Sequence, residues 1–452
     1  MGSKRYHFSG VAGAGMNPLA QLMRSRGHRV QGSDRAFDQG KSAEVEARLR
    51  RTGVVLRPQD GTAVTRDVDR FVYSTAVEAD TPEMRAARAL GLELVPRPAL
   101  LAEIVNHGRP GVAIAGTSGK STITGMVAWI LREAGVPATI LGGAALVGED
   151  DGSCFTAGPA EGLVIAEACE SDGTLVGYRP AVGLVHNISR DHGEVGDVRG
   201  QFATFAENSA RLLLNVACRE AAALATGRAA LTYGAAAGTD AALAVITPGP
   251  DRAVGILRGV GREISLDLPQ PGVHNLENAA AAALVALELG IRPPDIERLL
   301  ARFPGVTRRF ETVGVTRAGI RVIDDFAHNG EKIRAALTTA QAGAPRVVAM
   351  FQPHGFGPAR FLRGELRELL GGLLRPADRF CYAEIFYAGG TVTRDLSSRD
   401  LAGDIGCAYA EDHAALVRWV AGEARPGDTV LLMGARDPEL PGLARRVLAA
   451  LS

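Results

Sequence analysis

The residues Val112-Ala-Ile-Ala-Gly-Thr-Ser-Gly-Lys-Ser-Thr122 have the types and the order needed to hold phosphate. An apolar run rich in β-branched residues ends in a loop of small residues, and Lys120, Ser121 and Thr122 then open an amphipathic helix. The backbone N–H groups of Gly116, Thr117, Ser118 and Gly119, followed by a helix N-terminus, make an anion cradle. Lys120 is spaced to reach the outer phosphates, and the Ser121 hydroxyl to face Mg²⁺. The pattern is the compact G-T-x-G-K-[ST], not the longer G-x-x-x-x-G-K-[ST]. Only Lys4, Lys41, Lys120 and Lys332 are lysines among 50 cationic residues, so a lysine inside a glycine loop stands out.

Two further segments end apolar runs in polar groups. Ile165-Ala-Glu-Ala-Cys-Glu-Ser-Asp172 and Val185-His-Asn-Ile-Ser-Arg-Asp-His192 both place side chains at the carboxyl ends of strands, where α/β sheets bind ligands. Glu170 and His192 are natural ligands for Mg²⁺ or a second metal beside Ser121, although histidine is an unusual partner for so hard a cation. Taken alone, both segments could equally be helix caps and loop charges. Near the N-terminus, Gly10-Val-Ala-Gly-Ala-Gly15 with Asp34 further on is close to a dinucleotide fingerprint, with alanine in place of its second glycine. That leaves an NAD-linked oxidoreductase open, while the same loop would cradle a UDP pyrophosphate equally well.

Short apolar runs alternate with helical-period segments along the chain, which predicts an α/β protein with largely parallel sheets. Strands are expected over 6–9, 28–31, 70–74, 163–166, 182–185, 321–324, 346–351, 379–383 and 429–433. Breaker-rich residues at 108–111 and 303–305 divide the chain into an N-terminal region 1–108, a central region 109–304 and a C-terminal region 305–452. A length of 452 residues suits three domains of ~150 residues each. The expected fold is Rossmann-like, then a P-loop ATPase-type parallel sheet, then a second doubly wound Rossmann-like domain. Apolar content of 46%, charged content of 22% and zero formal net charge argue against nucleic-acid and membrane partners. Five scattered cysteines without a C-x-x-C pair, no apolar leader and no long apolar run point to the cytoplasm.

Together the motifs resemble the Mur ligase superfamily, the ATP-dependent amide-forming enzymes of peptidoglycan precursor synthesis. Behind the phosphate loop come E-x-x-E-S-D, N-I-x-x-D-H, Gly272-Val-His-Asn-Leu-Glu-Asn278 and Arg308-Arg-Phe-Glu311, in the family's order. The resemblance implies that Glu170 and His192 hold Mg²⁺, that Asn278 meets adenine, and that Arg309 contacts the terminal phosphate of ATP. It implies that Asp325 binds the ribose and His328 orients an incoming amino acid. The opening His7-Phe-Ser-Gly-Val-Ala-Gly-Ala-Gly-Met16 and Gly32-Ser-Asp34 look like the branch that joins L-alanine to UDP-N-acetylmuramate. Gly13, Ala14, Gly15, Met16, Ser33, Asp34, Ser74 and Thr75 would then bind the UDP-sugar. The implied reaction runs through an acyl phosphate, with closure of the C-terminal domain assembling the site, in a monomer or homodimer.

The third region departs from that branch. Its usual D-D-Y-[GA]-H-H-P-T-E is Asp324-Asp-Phe-Ala-His-Asn-Gly-Glu331 here, and two arginines expected after Phe351-Gln-Pro-His354 are Gly355 and Pro358. Arg360 and Arg363 are the nearby arginines that could replace a lost carboxylate clamp, or they could simply decorate a helix. Cys169 stands where aspartate is usual, Asp191-His-Gly-Glu194 lacks the usual Met-Asp, and Gly434-Ala-Arg-Asp-Pro438 replaces G-A-G-[DN]-I. A ligase for a different amine or a recycled peptide, and a nucleotide-dependent sensor, therefore remain open.

Overall fold

The computed structural model describes residues 2–74, 77–78, 80–149, 154–170, 173–189, 195–387 and 393–452, the side chains of 195–197 excepted. His192 and Thr75 lie outside the described residues. Three sheets follow one another along the chain in an α/β architecture. Contacts between Cα atoms group it into two compact units. The first comprises Met1–Ala244, Ile256–Ser265 and Glu277–Phe303, and the second Val245–Gly255, Leu266–Leu276 and Pro304–Ser452.

The N-terminal sheet has five parallel strands in the order Val55–Arg57, Arg29–Ser33, Arg5–Ser9, Arg70–Tyr73, Glu93–Pro96. Strand order reverses beside Arg5–Ser9, which opens a crevice at its carboxyl end. The helix Met16–Ser25 starts there, with Gly15 as its N-cap. Gly32 must be glycine, because a Cβ there would lie 2.9 Å from the Val11 side chain and 3.0 Å from the Phe8 carbonyl oxygen.

The central sheet carries Gly111–Ala115 between Leu163–Ala168 and Val182–Val185, all parallel and buried but for the half-buried Glu167. Continuous burial explains why these runs are apolar without alternation. Arg211–Asn215, Leu231–Gly234 and Ala241–Thr247 extend the sheet in parallel. Ala253–Gly259 and Arg262–Leu268 then follow as hydrogen-bonded neighbours. Their two-residue connection requires a hairpin. The alternating burial of these last strands signals one covered face. The helix Lys120–Glu133 is tied to the helix Pro293–Leu300 by Trp129, whose Nε1 donates to the Leu299 carbonyl at 2.8 Å.

In the C-terminal sheet, Glu311–Val315 runs antiparallel to Arg321–Asp325. Thr429–Gly434, Val347–Gln352, Arg379–Ala383 and Ala408–Ala410 complete it in parallel. The helices Gly330–Gly343 and Phe356–Leu373 follow Arg321–Asp325 and Val347–Gln352 in the chain. Among the described residues no helix is long and apolar enough to cross a membrane.

Candidate active site

The phosphate loop lies between the strand Gly111–Ala115 and the helix Lys120–Glu133. Gly116 has φ +142° and Gly119 φ +85°, conformations that side chains resist. A Cβ on Gly119 would come within 2.5 Å of Asn278 Oδ1 and 2.9 Å of the His186 ring. Asn187 braces the loop from the neighbouring strand end. Its carbonyl accepts from Thr117 N at 3.0 Å and its Oδ1 from Ser118 N at 2.8 Å. Thr117 Oγ1 accepts from Ser189 N at 3.0 Å. The Ser118 hydroxyl is buried and has no hydrogen-bond partner among the described residues, as suits a group that meets a phosphate oxygen.

Lys120 folds back over this loop, donating to the Gly116 carbonyl and, at 3.2 Å, to Glu170 Oε2. Burial opposes its charge, but the Glu170 carboxylate, with Cys169 and Glu167, outweighs burial and raises its pKa above the ordinary lysine value. Ser121 Oγ donates to Glu167 Oε2 at 3.2 Å, and Glu167 Oε1 accepts from Gly143 N. Thr122 is buried in the first turn behind them. The structure thus brings Gly116, Thr117, Ser118, Gly119, Lys120, Ser121, Glu170 and Asn278 together. Glu167, His186 and Asn187 join them without having been singled out from the sequence. The signal was present: Glu167 lies in the acidic block, and His186 and Asn187 directly follow an apolar strand. His186 is fixed by a 2.8 Å hydrogen bond between its Nδ1 and the Tyr233 hydroxyl, and burial pushes the Tyr233 pKa well up, which keeps that phenol neutral.

At the N-terminal sheet, Gly13 accepts from Met16 N at 2.9 Å and Asn17 N at 3.0 Å, so Gly13, Ala14 and Gly15 curl into the helix start. Asp34 pins the loop by accepting from Ala12 N at 2.8 Å, and it caps its own helix through Ala36 N at 2.9 Å. The Ser33 carbonyl accepts from Gly10 N and Val11 N, while its hydroxyl turns away to Glu83 at 2.6 Å. Ser33 therefore shapes this loop through its backbone. A Cβ on Gly10 would sit 3.6 Å from Ser74, which places Ser74 at the same crevice. A Cβ on Gly15 would lie 3.2 Å from Arg97 Nη1, so a cation missed in the sequence stands over the loop.

The second unit holds the remaining residues. Arg309 lies over the Phe326 ring, 4.9 Å from its centroid, beside Arg308, which is bound to Asp324 at 3.2 Å and to the Gly434 carbonyl at 2.7 Å. Burial raises the Asp324 pKa to about 6 against the pull of Arg308. Asp325 accepts from Phe310 N and Ala327 N, both at 2.7 Å, so its carboxylate ties the Arg308-Arg309-Phe310 turn to the strand end. Burial raises its pKa too, with Arg309 opposing. His328 Nδ1 donates to the Phe326 carbonyl at 2.8 Å. Arg360 is paired with Asp395 at 2.6 Å and Arg363 with Asp404 at 2.6 Å.

Mur ligase family models match three successive stretches of the chain. The Mur ligase family catalytic domain matches residues 5–109, the Mur ligase middle domain 114–286, and the Mur ligase glutamate ligase domain 308–436. The chain is 37% identical to the UDP-N-acetylmuramate–L-alanine ligase of Kineococcus radiotolerans, over 96% of this chain and 93% of that protein. It is 36% identical to the protein of the same name from Rhizobium meliloti, over 95% and 93%. In fold it is similar to the UDP-N-acetylmuramate-alanine ligase of Thermotoga maritima, with TM-score 0.79 and 24% identity over 98% of both chains. A murein peptide ligase of Psychrobacter arcticus shares the fold at TM-score 0.69, 22% identity and 99% coverage of both. With family domains matched in succession along the chain and relatives more than a third identical across it, the chain belongs to the Mur ligase family.

Proposed function

We propose that this protein joins L-alanine to the lactyl carboxylate of UDP-N-acetylmuramate at the expense of ATP, in the cytoplasm, for peptidoglycan precursor synthesis. The observation that carries this reading is its near-full-length kinship with proteins named for that ligation. Residues 1–108 then hold the UDP-sugar, 109–304 the ATP and 305–452 the amino acid. Gly13, Ala14, Gly15, Met16 and Asp34 shape the pyrophosphate cradle, with Ser33 behind it, Ser74 beside it and Arg97 as the neutralising charge, and Thr75 is a further UDP-sugar residue that the resemblance implies.

The carboxylate oxygen attacks the γ-phosphorus, the bond to the β-phosphate oxygen breaks, and ADP departs from an acyl phosphate. The alanine nitrogen then attacks the acyl carbon, loses its proton, and expels inorganic phosphate. Residues 116–119 and the start of the Lys120–Glu133 helix hold the phosphates, Lys120 offsets charge developing on the transferred group, and Asn278 faces the base. Arg309 serves the terminal phosphate, Asp325 supports the ribose, and His328 orients the amine. The oxygen donors of Ser121, Glu167 and Glu170 fit Mg²⁺, a cation that takes oxygen ligands, with His192 the further ligand that the resemblance implies. Bound there, it would neutralise charge on the phosphates.

The reading is tested by phosphate release with ATP, Mg²⁺ and UDP-N-acetylmuramate across single amino acids and a tripeptide, with product masses. Alanine-dependent release with the mass of the amide supports it. Release only with another amine, or none, overturns the alanine assignment. In the same assay Glu167→Gln is expected to raise the Mg²⁺ concentration for half-maximal rate by about tenfold or more. An unchanged Mg²⁺ requirement would remove Glu167 from the metal site.

A further inference from the structure

Of the four lysines in this arginine-rich chain, Lys4 and Lys41 are exposed, whereas Lys120 and Lys332 are half-buried. Lys120 belongs to the phosphate loop. Lys332 sits in the first turn of the helix Gly330–Gly343, its backbone N–H capped by Asn329 Oδ1 at 3.0 Å. It therefore stands at the carboxyl end of Arg321–Asp325, the edge at which a parallel sheet receives its ligand. The His328 bond to the Phe326 carbonyl uses Nδ1, which leaves Nε2 facing the Lys332 ammonium at 3.4 Å. The His354 ring, from the end of the Val347–Gln352 strand, lies 5.3 Å from that of His328.

Three arginines of this unit are already paired with carboxylates. Arg308 is held by Asp324, Arg360 by Asp395, and Arg363 by Asp404 through two parallel bonds of 2.6 and 2.8 Å. Nor can a clamp be rebuilt at residue 355: Gly355 has φ +75°, and Pro358 sits in the first turn of the helix it caps. The neighbouring turn is rebuilt as well. A Cβ on Gly330 would fall 1.9 Å from Glu365 Oε1, so the carboxylate fills the space of any side chain there.

We infer that Lys332, oriented by His328, binds the carboxylate of the incoming amino acid, an assignment that rests on the ligase reading above. A lysine recognises that carboxylate as a point charge, without the planar fork an arginine presents. Lys332 is thus a specificity-determining residue for acceptors that carry a free carboxylate.

The test is a kinetic comparison of the full-length wild type, Lys332→Ala and Lys332→Arg, with L-alanine and with L-alaninamide, which lacks the carboxylate charge. A lost charge-assisted hydrogen bond is expected to raise the KM for alanine about 30-fold. The kcat and the KM for ATP should stay within about twofold, because ground-state binding of one substrate has been removed. Lys332→Arg should recover most of the loss, and the preference for alanine over alaninamide should collapse only in Lys332→Ala. An unchanged KM for alanine, or an unchanged preference over alaninamide, overturns the assignment. A wild type that turns over normally while Lys332→Ala gives either result sinks this inference alone. A wild type with no amine-dependent turnover sinks the ligase reading and the assignment together.

Discussion

Lys120→Met is expected to lower alanine-dependent phosphate release by about 10³-fold, the scale of removing one preorganised charge from a phosphoryl-transfer site. The ammonium is held by the Gly116 carbonyl and by Glu170 at 3.2 Å, above the loop whose glycines admit the close approach of Asn187, His186 and Asn278. Methionine keeps the length of the stem and deletes the charge. The loss should fall on turnover, while binding of UDP-N-acetylmuramate, measured directly, stays near the wild-type value. Turnover within about tenfold of wild type would mean that Lys120 is a structural lysine and that another cation meets the transferred group.

A second effect separates chemistry from folding. The Lys120 side chain is 13% exposed and that of Glu170 4%, so losing the ammonium strands a buried carboxylate. Breaking such a pair costs about 3 kcal/mol. Adding Glu170→Gln to Lys120→Met should return most of the lost thermal stability, because no unpaired charge remains, yet leave turnover abolished. Recovery of activity in the double variant would contradict the role given to either residue.

Much of this site could be read from spacing because local rules and tertiary structure agree there. The run 112–115 is buried on both faces, and glycines at 116 and 119 take the positive φ that the loop demands. The same agreement makes Arg321–Asp325 and Thr429–Gly434 legible as strands. The hairpin of Ala253–Gly259 and Arg262–Leu268 was not, because its strands are part-exposed and interrupted by glycine and charged residues. Glu167 and Arg97 escaped for a different reason. Nothing in the order of residues says that Glu167 leans back to Ser121, or that Arg97 lies over Gly15. Ser33 shows the converse: the sequence points to its side chain, and the fold spends that hydroxyl on Glu83.

Glu83→Ala is expected to destabilise the protein by about 4 kcal/mol, which makes it the largest stability effect outside the phosphate loop. Glu83 is fully buried, yet it accepts from His7 Nε2 at 2.9 Å and from the Ser9 and Ser33 hydroxyls at 2.6 Å each. Gln31 completes the set, its Nε2 at 2.7 Å from the Ala63 carbonyl and 3.1 Å from His7 Nδ1. Alanine would orphan three buried donors at once. Glutamine is expected to cost less, about 2 kcal/mol, because one of its two ends is itself a donor facing donors. Burial pushes the Glu83 pKa up, but the hydrogen bonds from His7, Ser33 and Ser9 outweigh it and hold it below the usual carboxylate range. A folded-state pKa below the unfolded value of about 4.3 gives stability that is complete above that value and lost as the pH falls through the folded one. Acid melts of the wild type should therefore show a loss below about pH 4 that Glu83→Gln no longer shares. The same network reaches the substrate crevice, since Ser33 also holds Gly10 N and Val11 N through its carbonyl. Glu83→Gln should thus raise the KM for UDP-N-acetylmuramate with little change in that for ATP. Equal rises in both would show a distortion that is not confined to the UDP-sugar crevice, and a lower kcat with both KM values unchanged would show a loss of folded enzyme. An unchanged melting temperature in Glu83→Ala would show that the buried network contributes nothing to stability.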